Sequence, residues 1–372
     1  MTSSSLRILH TEWSDGWGGQ ERRIISEMEG MMKRGHQMVL ATRPSCRILG
    51  EAQQRGIPVL PMTMKGKFDL GTIFMLARYL KAEHIQVVNT HSGIDSWIGA
   101  LAAKLAGTPV LVRTRHLNIP LKRAWHNFVH FLPDNLVTCG ETMSRHLAEK
   151  CSFPEEQLTS IPTGIDFPRF TPAHTRQKTR QALDIPEGDF LILMVGVIRS
   201  VKRHEIALRA FRLLLDQHPA ARLVLAGEGP MQERMEQLAA ELAIADRVHF
   251  LGHREDVPDL LGAADLVLLT SSSEGVPQAV TQALGLGVPV VATAVGGVPE
   301  LVIHERTGLL VPPENAQATA EAIARLADDP VLAARLGEEG RRHVMAEFSL
   351  EAMLDKTECL YRTLLEKKGG AQ

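Results

Sequence analysis

Residues 265–293 read DLVLLTSSSEGVPQAVTQALGLGVPVVAT. A short apolar run from Leu266 to Leu269 gives way to three serines, an acid and a Gly-x-Pro turn. A helix-compatible stretch follows, and Val290, Val291 and Ala292 resume an unbroken apolar run. Apolar runs without polar alternation mark strands buried on both faces, and strand, helix, strand in that order is the unit of a parallel sheet covered by helices.

The alternation extends both ways. Upstream stand FLILMVGVI, RLVLAG and VHFLG, downstream GLLV, each separated by a helical pattern. The front half repeats the scheme with LRILHTEW, MVLATR, IPVLPM, QVVNTH, PVLVRTRH and NLVTCG as strand candidates. Between the first two, Ile24, Ile25, Met28, Met31 and Met32 recur at helical spacing and Gly35 stops the helix. A chain of 372 residues, at about 150 per domain, therefore divides into two doubly wound α/β domains. The Pro-, Thr- and Arg-rich segment 163–180 breaks the alternation and reads as an interdomain connection. The expected boundaries are 1–168, 169–348 and a closing helix with its tail over 349–372. There Leu350, Met353, Leu354, Leu360, Tyr361 and Leu364 form one stripe that requires a partner surface.

Composition is that of a soluble globular enzyme, with 44% hydrophobic and 23% charged residues, and no apolar run approaches the roughly 20 residues of a membrane span. The first residues lack the features of a secretory signal, and Cys46, Cys139, Cys151 and Cys359 have neither metal-ligand nor redox spacing, so a cytoplasmic protein with reduced thiols is expected. Residues 1–168 carry 19 Lys and Arg against 15 Asp and Glu, while the whole chain has net charge −2. The basic front half suits an anionic membrane surface or is simply solvated. The segment 119–132, IPLKRAWHNFVHFL, reads either as a membrane-interface helix or as an ordinary packed one.

In open α/β sheets ligands bind beyond the carboxyl ends of the strands, so the loops there hold the candidate residues. After the first strand, Gly16, Gly18 and Gly19 precede a helix and read as a phosphate cradle or as a tight turn. The dinucleotide pattern fails, because Glu21 stands where a third glycine belongs and Thr42 and Arg43 where an acid belongs. Arg199 and Lys202 lie where a strand becomes a helix. Two cations there oppose the macrodipole, a conflict that a bound anion resolves. Glu274 is either a helix opener beside the capping serines Ser271 to Ser273 or a ligand contact, and the glycines after it suggest backbone packed close to a ligand. His91 and His116 end strands, with His116 favoured by Arg113 and Arg115 nearby. There is no GxSxG elbow, Walker loop, HExxH or Asp-x-Asp pair.

The stretches GVIRSVKRH, LAGEGPMQERMEQLAAEL and VHFLGHREDVPDLLGAADLVLLTSSSEGVPQAVTQALGLGVPVVATAVGGVPELVIHERTGLLVPPEN, with the front GGQE loop and a GID turn near residue 165, resemble the retaining glycosyltransferases of family 4. The resemblance implies the GT-B fold, two Rossmann-like domains with a nucleotide-sugar in the cleft and a last helix crossing back to the first domain. It implies that Arg199 and Lys202 meet the donor diphosphate, that Gly18 and Gly19 approach it, that His116 lies near the donor sugar and that Glu274 contacts the sugar hydroxyls. Gly275, Val276, Pro277, Gln278 and Arg254 are assigned to donor binding on the same ground. The family's second acid, seven residues beyond the first and bound to the ribose, is here Gln282. An amide loses the charge-assisted bonds of a carboxylate, so weaker nucleotide binding is expected.

The function so implied is retaining, metal-independent transfer of a sugar from a nucleotide-sugar to a glycan or lipid-linked acceptor, as in lipopolysaccharide synthesis. No cofactor and no nucleic-acid partner are expected. The expected place is the cytoplasm or the inner face of its membrane. The rival readings are a nucleotide-sugar epimerase or hydrolase on the same fold, and a silent nucleotide-sugar-binding protein.

Overall fold

The computed structural model describes residues 4–116, 121 and 125–369, with the side chains of residues 125 and 126 left aside. It divides into two units: Met1–Gly164 with Leu350–Gln372, and Ile165–Ser349.

In the first unit seven parallel strands, β1 (Arg7–Glu12), β2 (Gln37–Thr42), β3 (Val59–Pro61), β4 (Val87–Thr90), β5 (Val110–Arg115), β6 (Asn135–Thr138) and β7 (Leu158–Ser160), lie in the order β3-β2-β1-β4-β5-β6-β7. The six front-half candidates are all strands. The seventh, Leu-Thr-Ser, is too short and polar to carry a sequence signal. One face of the sheet is covered by the helices Gly19–Lys33 and Leu350–Gly369, and the other by Leu70–Ala82 and Gly93–Ala106. Met353, Leu354, Tyr361 and Leu364 are buried against the first of these layers. Leu354 sits where a side chain on Gly30 would be, so Gly30 sets how closely the two helices approach. Gly35, at φ +89°, ends the helix as expected, its N–H donating to Met32 O at 2.9 Å.

In the second unit six parallel strands, β8 (Leu191–Val195), β9 (Arg222–Ala226), β10 (Val248–Phe250), β11 (Leu266–Leu269), β12 (Val290–Thr293) and β13 (Leu309–Val311), lie in the order β10-β9-β8-β11-β12-β13. β8 and β11 are neighbours with their sequential partners on opposite sides. The strand order therefore reverses between them, the place where open α/β sheets bind ligands.

The segment 163–180 is not a free connection. Ile165 N–H donates to Phe348 O at 2.9 Å, and the two crossings of the chain fall at Gly164/Ile165 and Ser349/Leu350. The helix Arg176–Ala182 is anchored in the second unit by the buried Arg180, which donates to Asp265 Oδ2 at 2.6 Å and to the carbonyls of Ala263, Pro186, Glu187 and Asp189. Composition marks a break in the alternation but does not show that a buried arginine staples the segment to the second unit.

Candidate functional site

In the second unit the loop after β8 is shaped by two backbone constraints, Gly196 at φ +150° and Arg203 at φ +51°. The Lys202 side chain runs over Gly196, with Cε 3.7 Å from where a Cβ would stand. A Cβ there would only touch the lysine, so it is the φ of +150° that favours glycine at this position. The loop after β11 pins this turn: Thr270 Oγ1 donates to the carbonyls of Lys202 (3.0 Å) and Arg203 (2.9 Å), and Ser272 N–H donates to Val201 O at 2.8 Å. Lys202 Nζ then donates to Glu274 Oε1 at 2.7 Å, and the Ser271 hydroxyl donates to the same oxygen at 2.5 Å.

Lys202 and Glu274 are thus brought together. Arg199 is not: its side chain is exposed and, among the described residues, has no hydrogen bond or ion pair. The cations that oppose the helix dipole are resolved for Lys202 by Glu274, while Arg199 remains available to an anion.

Glu274 does not open a helix. The next helix is Gln278–Gly285 with Pro277 at its N-cap and no side-chain cap, so the acid stands ahead of the first turn, and Ser271 serves Glu274 instead. Gly275 is exposed, with no atom within 4 Å of a Cβ placed on it. Val276 is half-buried, Pro277 buried and Gln278 exposed. Gln282 follows Gln278 at helical spacing on the same face, half-buried, and its amide has no hydrogen-bond partner among the described residues. Arg254 is committed elsewhere, its Nε donating to Asp256 Oδ1 at 2.8 Å and its Nη2 to Oδ2 at 2.5 Å.

The glycines of the stretch divide by cause. Gly285 packs on the Phe167 ring and Gly287, at φ +74°, ends the helix, so neither approaches a ligand. Gly296, at φ +52°, lies where any side chain would overlap the Glu274 carbonyl, and Gly297 N–H donates to Gly275 O at 3.1 Å. This second loop holds the 274–275 backbone in place.

In the first unit the glycine loop follows β1. Gly18 N–H donates to Glu21 Oε2 at 2.8 Å, so it is not offered to a phosphate as expected. The amides of Gly19 and Gln20, at the start of the helix, are the first without a partner among the described residues. Glu12 holds the loop: Oε1 accepts the N–H groups of Trp13 (2.8 Å) and Ser14 (2.7 Å), and Oε2 accepts the Gln20 amide at 2.6 Å. Burial nevertheless pushes the Glu12 carboxyl up to about 8, with repulsion from Asp95 adding to it. Asp95, itself raised by burial, accepts from Thr11 Oγ1, His91 N and Ser92 Oγ.

His116 stands one residue beyond β5. Its Nε2 is 3.0 Å from His91 Nδ1, and His91 Nε2 is 2.9 Å from His10 Nδ1, so the two histidines singled out in the sequence belong to one chain. Burial, reinforced by the Arg23 charge, drives both His91 and His116 well below the usual histidine value. Arg113 and Arg115 do not make an anion-friendly surface: both are buried in β5, and Arg113 donates to His130.

Of the segment 119–132, residues 119, 120 and 122–124 lie outside the described residues. Farther on Val129 is buried and Phe131 stacks on Phe153 at 4.4 Å, the packing of an ordinary short 3-10 helix.

Sequence reading missed Glu12, Asp95, His10 and Glu27. For His10 and Glu12 the signal was present in LRILHTEW, where a histidine and an acid interrupt a strand of a fully covered parallel sheet. Among the described residues no group of three or more His, Cys, Asp or Glu could hold a metal ion.

Residues 17–169 match the family model described as Glycosyltransferase Family 4, and residues 175–343 match Glycosyl transferases group 1. The chain is 23% identical to the UDP-Gal:alpha-D-GlcNAc-diphosphoundecaprenol alpha-1,3-galactosyltransferase of Escherichia coli, over 99% of each chain. Its fold is similar to that of a glycosyltransferase from Rickettsia africae, with TM-score 0.87 at 22% identity over 98% of this chain and 99% of that one. It is also similar to that of HepE from Anabaena in complex with UDP, with TM-score 0.84 at 21% identity over 96% of this chain and all of that one.

Proposed function

The chain belongs to the glycosyltransferases of group 1 and family 4, with the GT-B fold, and from that membership we propose that it moves a sugar from a nucleoside diphosphate sugar to an acceptor hydroxyl with retention at the anomeric carbon and without a bound metal. The observation that carries this reading is the 2.7 Å pair of Lys202 and Glu274 at the reversal of strand order, on the same unit as the exposed Arg199, the open Gly275 and Gln282, whose amide has no protein partner among the described residues.

When a diphosphate arrives, Arg199 and Lys202 neutralise it and Glu274 turns to the sugar hydroxyls. Gln282 can accept from one ribose hydroxyl and donate to the other. The bond from the anomeric carbon to the phosphate oxygen breaks as the acceptor oxygen bonds to the same face, and the acceptor's proton passes to the departing diphosphate. Negative charge grows on that leaving group, so its cationic partners contribute more in the transition state than before it. Within the first unit, His116 and the Gly19 and Gln20 amides, with Gly18 shaping their turn, are the candidate groups.

The acceptor we propose is lipid-linked, by likeness to the E. coli relative. Among the described residues no helix is long and apolar enough to cross a membrane. The helix Leu70–Ala82 instead turns an apolar face outward. Leu70 (61% exposed), Phe74 (60%) and Met75 (51%) share it with Arg78 and Lys81, and Phe68 (73%) precedes it beside Lys65 and Lys67. Phe68 and the half-exposed Phe128 both meet Trp97 edge-on, at 5.3 and 5.4 Å, so the patch is continuous. The outer face of a surface helix is ordinarily polar, and an apolar patch rimmed by cations fits an anionic bilayer surface. Asp69, the acid amid these residues, is committed to capping the helix.

The test is to incubate purified protein with nucleoside diphosphate sugars in the presence of EDTA, with and without lipid-linked acceptors, and to assign the product anomer by NMR. Acceptor-dependent product of unchanged anomeric configuration is expected. Free sugar or epimer from donor alone, inversion, or binding without turnover across acceptors would each overturn the reading.

A further inference from the structure

Three neighbouring strands of the first sheet, β1, β4 and β5, place His10, His91 and His116 in one line, and the line does not stop at His10. His10 Nε2 faces Glu27 Oε1 at 3.6 Å. That separation is an electrostatic contact, too long for a hydrogen bond; Glu27 Oε1 accepts the Tyr361 hydroxyl at 3.2 Å, and its Oε2 lies 3.8 Å from Arg23 Nε. Glu27, Arg23, His10 and Tyr361 are all at most 1% exposed, a costly arrangement that the catalytic assignments above do not use.

Burial disfavours a second proton on each ring and the Arg23 charge adds to it; at His10 the Glu27 charge pulls the other way, but burial outweighs it and the ring still lies below the usual histidine value. A neutral imidazole has one donor and one acceptor nitrogen, so two ring-to-ring hydrogen bonds leave only two patterns for the whole line. In one, all three rings carry hydrogen on Nε2. In the other, all three carry it on Nδ1. The second would aim the lone pair of His10 Nε2 at the Glu27 carboxylate inside a medium of low dielectric. The first aims an N–H at it.

The other end of the line does not choose. His116 Nδ1 is 3.7 Å from Cys139 Sγ, which receives Arg23 Nη1 at 3.3 Å and can send its one S–H either to Arg115 O at 3.3 Å or to the imidazole. We infer that Glu27 is a positioning residue which, acting through His10 and His91, fixes His116 as the Nε2–H tautomer, with the Nδ1 lone pair on the side of Cys139. This deepens the proposed function, since it rests on His116 taking part in transfer.

The experiment is long-range ¹H–¹⁵N correlation of the full chain labelled with ¹⁵N-histidine near neutral pH, with the His116 signals assigned by their loss in His116→Gln. In the wild type the Nε2–H tautomer is expected. Glu27→Gln can donate its amide to His10 Nε2 and is expected to shift His116 toward Nδ1–H. His10→Gln, which cuts the line, releases the constraint as well and serves if Glu27→Gln does not fold. Tyr361→Phe, which leaves the carboxylate in place, should keep the Nε2–H form. In transfer assays Glu27→Gln is expected to lower kcat about tenfold or more with the donor KM little changed, the effect of losing an orienting partner. A wild-type His116 in the Nδ1–H form, or a tautomer unmoved in both Glu27→Gln and His10→Gln, overturns the inference. Full turnover by His116→Ala with the tautomer shift intact would overturn the role of His116 and leave the line of histidines standing.

Discussion

Lys202 Nζ and Glu274 Oε1 are 2.7 Å apart in the loops that follow two adjacent strands, so the lysine assigned to the diphosphate and the acid assigned to the sugar neutralise each other. Substrate must exchange that bond for its own contacts. Lys202→Ala is expected to lower kcat by about 10²- to 10³-fold, the usual loss for one donor to a developing oxyanion. Because the two side chains touch, the effects of Lys202→Ala and Glu274→Ala should not add, differing by about 0.5–3 kcal/mol from the sum. Near-normal turnover by Lys202→Ala in a protein of unchanged circular dichroism would remove it from the mechanism.

Gln282 has no partner for its amide among the described residues, although it stands one turn beyond the open Gln278. Replacing it by glutamate supplies charge-assisted bonds to ribose hydroxyls, about 1 kcal/mol stronger than those of an amide. Calorimetry should show Gln282→Glu binding nucleoside diphosphate about fivefold more tightly and Gln282→Ala more weakly. Equal affinity for all three proteins would place the ribose elsewhere.

The strands and the domain count were legible because twelve of the thirteen strands among the described residues lie in apolar-rich stretches that alternate with helical patterns, as a covered parallel sheet demands. Lys202 and Glu274 were legible singly, but not as a pair. Their contact depends on Thr270 and Ser272 holding the 201–203 carbonyls, a tertiary arrangement that spacing does not encode. Glu12, His10 and Glu27 were visible only as ionisable residues in the wrong kind of segment. The pairing of Arg254 with Asp256, two residues on, was not legible either.

Two glycines of the site should separate folding from binding. Gly296→Ala would overlap the Glu274 carbonyl and strain a residue at φ +52°, so Tm should fall and nucleotide binding should fall with it. A Cβ on Gly275 meets nothing within 4 Å, so Gly275→Ala should leave Tm unchanged while weakening binding of donor. If Gly275→Ala binds donor as well as the wild type, the open space beside it is not where the ligand lies.

Glu12 links stability to pH with a definite sign. Its carboxyl titrates near 4.5 when unfolded and at about 8 when folded, so between these values the native state binds more protons than the unfolded one and stability falls as pH rises. The slope contributed is at most about 1.4 kcal/mol per pH unit. The lowered histidines act oppositely, adding stability as pH rises toward 6.5, so the fall expected between 6.5 and 8 comes from Glu12 together with the neighbouring Asp95, which burial raises in the same sense. Urea titrations of Glu12→Gln should show a flatter dependence there than the wild type. Parallel curves would mean that the three donors to the carboxylate keep it ionised.

The outward face of Leu70–Ala82 gives a prediction that depends on charge and apolar area together. Flotation with vesicles containing phosphatidylglycerol should carry the wild-type protein, while pure phosphatidylcholine should carry much less. Each basic residue near an anionic surface contributes about 1 kcal/mol, so Lys65→Gln with Lys67→Gln should weaken binding by about 30-fold at low salt, and added salt should weaken the wild type in the same direction. Phe68→Ser with Phe74→Ser removes the apolar contact but leaves the charge, so what binding remains should become fully reversible by salt. The mutated side chains are exposed, and Tm should not move. Binding that ignores lipid charge, or a concentration-dependent dimer abolished by the phenylalanine substitutions in sedimentation velocity, would assign this face to a neutral surface or to a second copy of the chain instead.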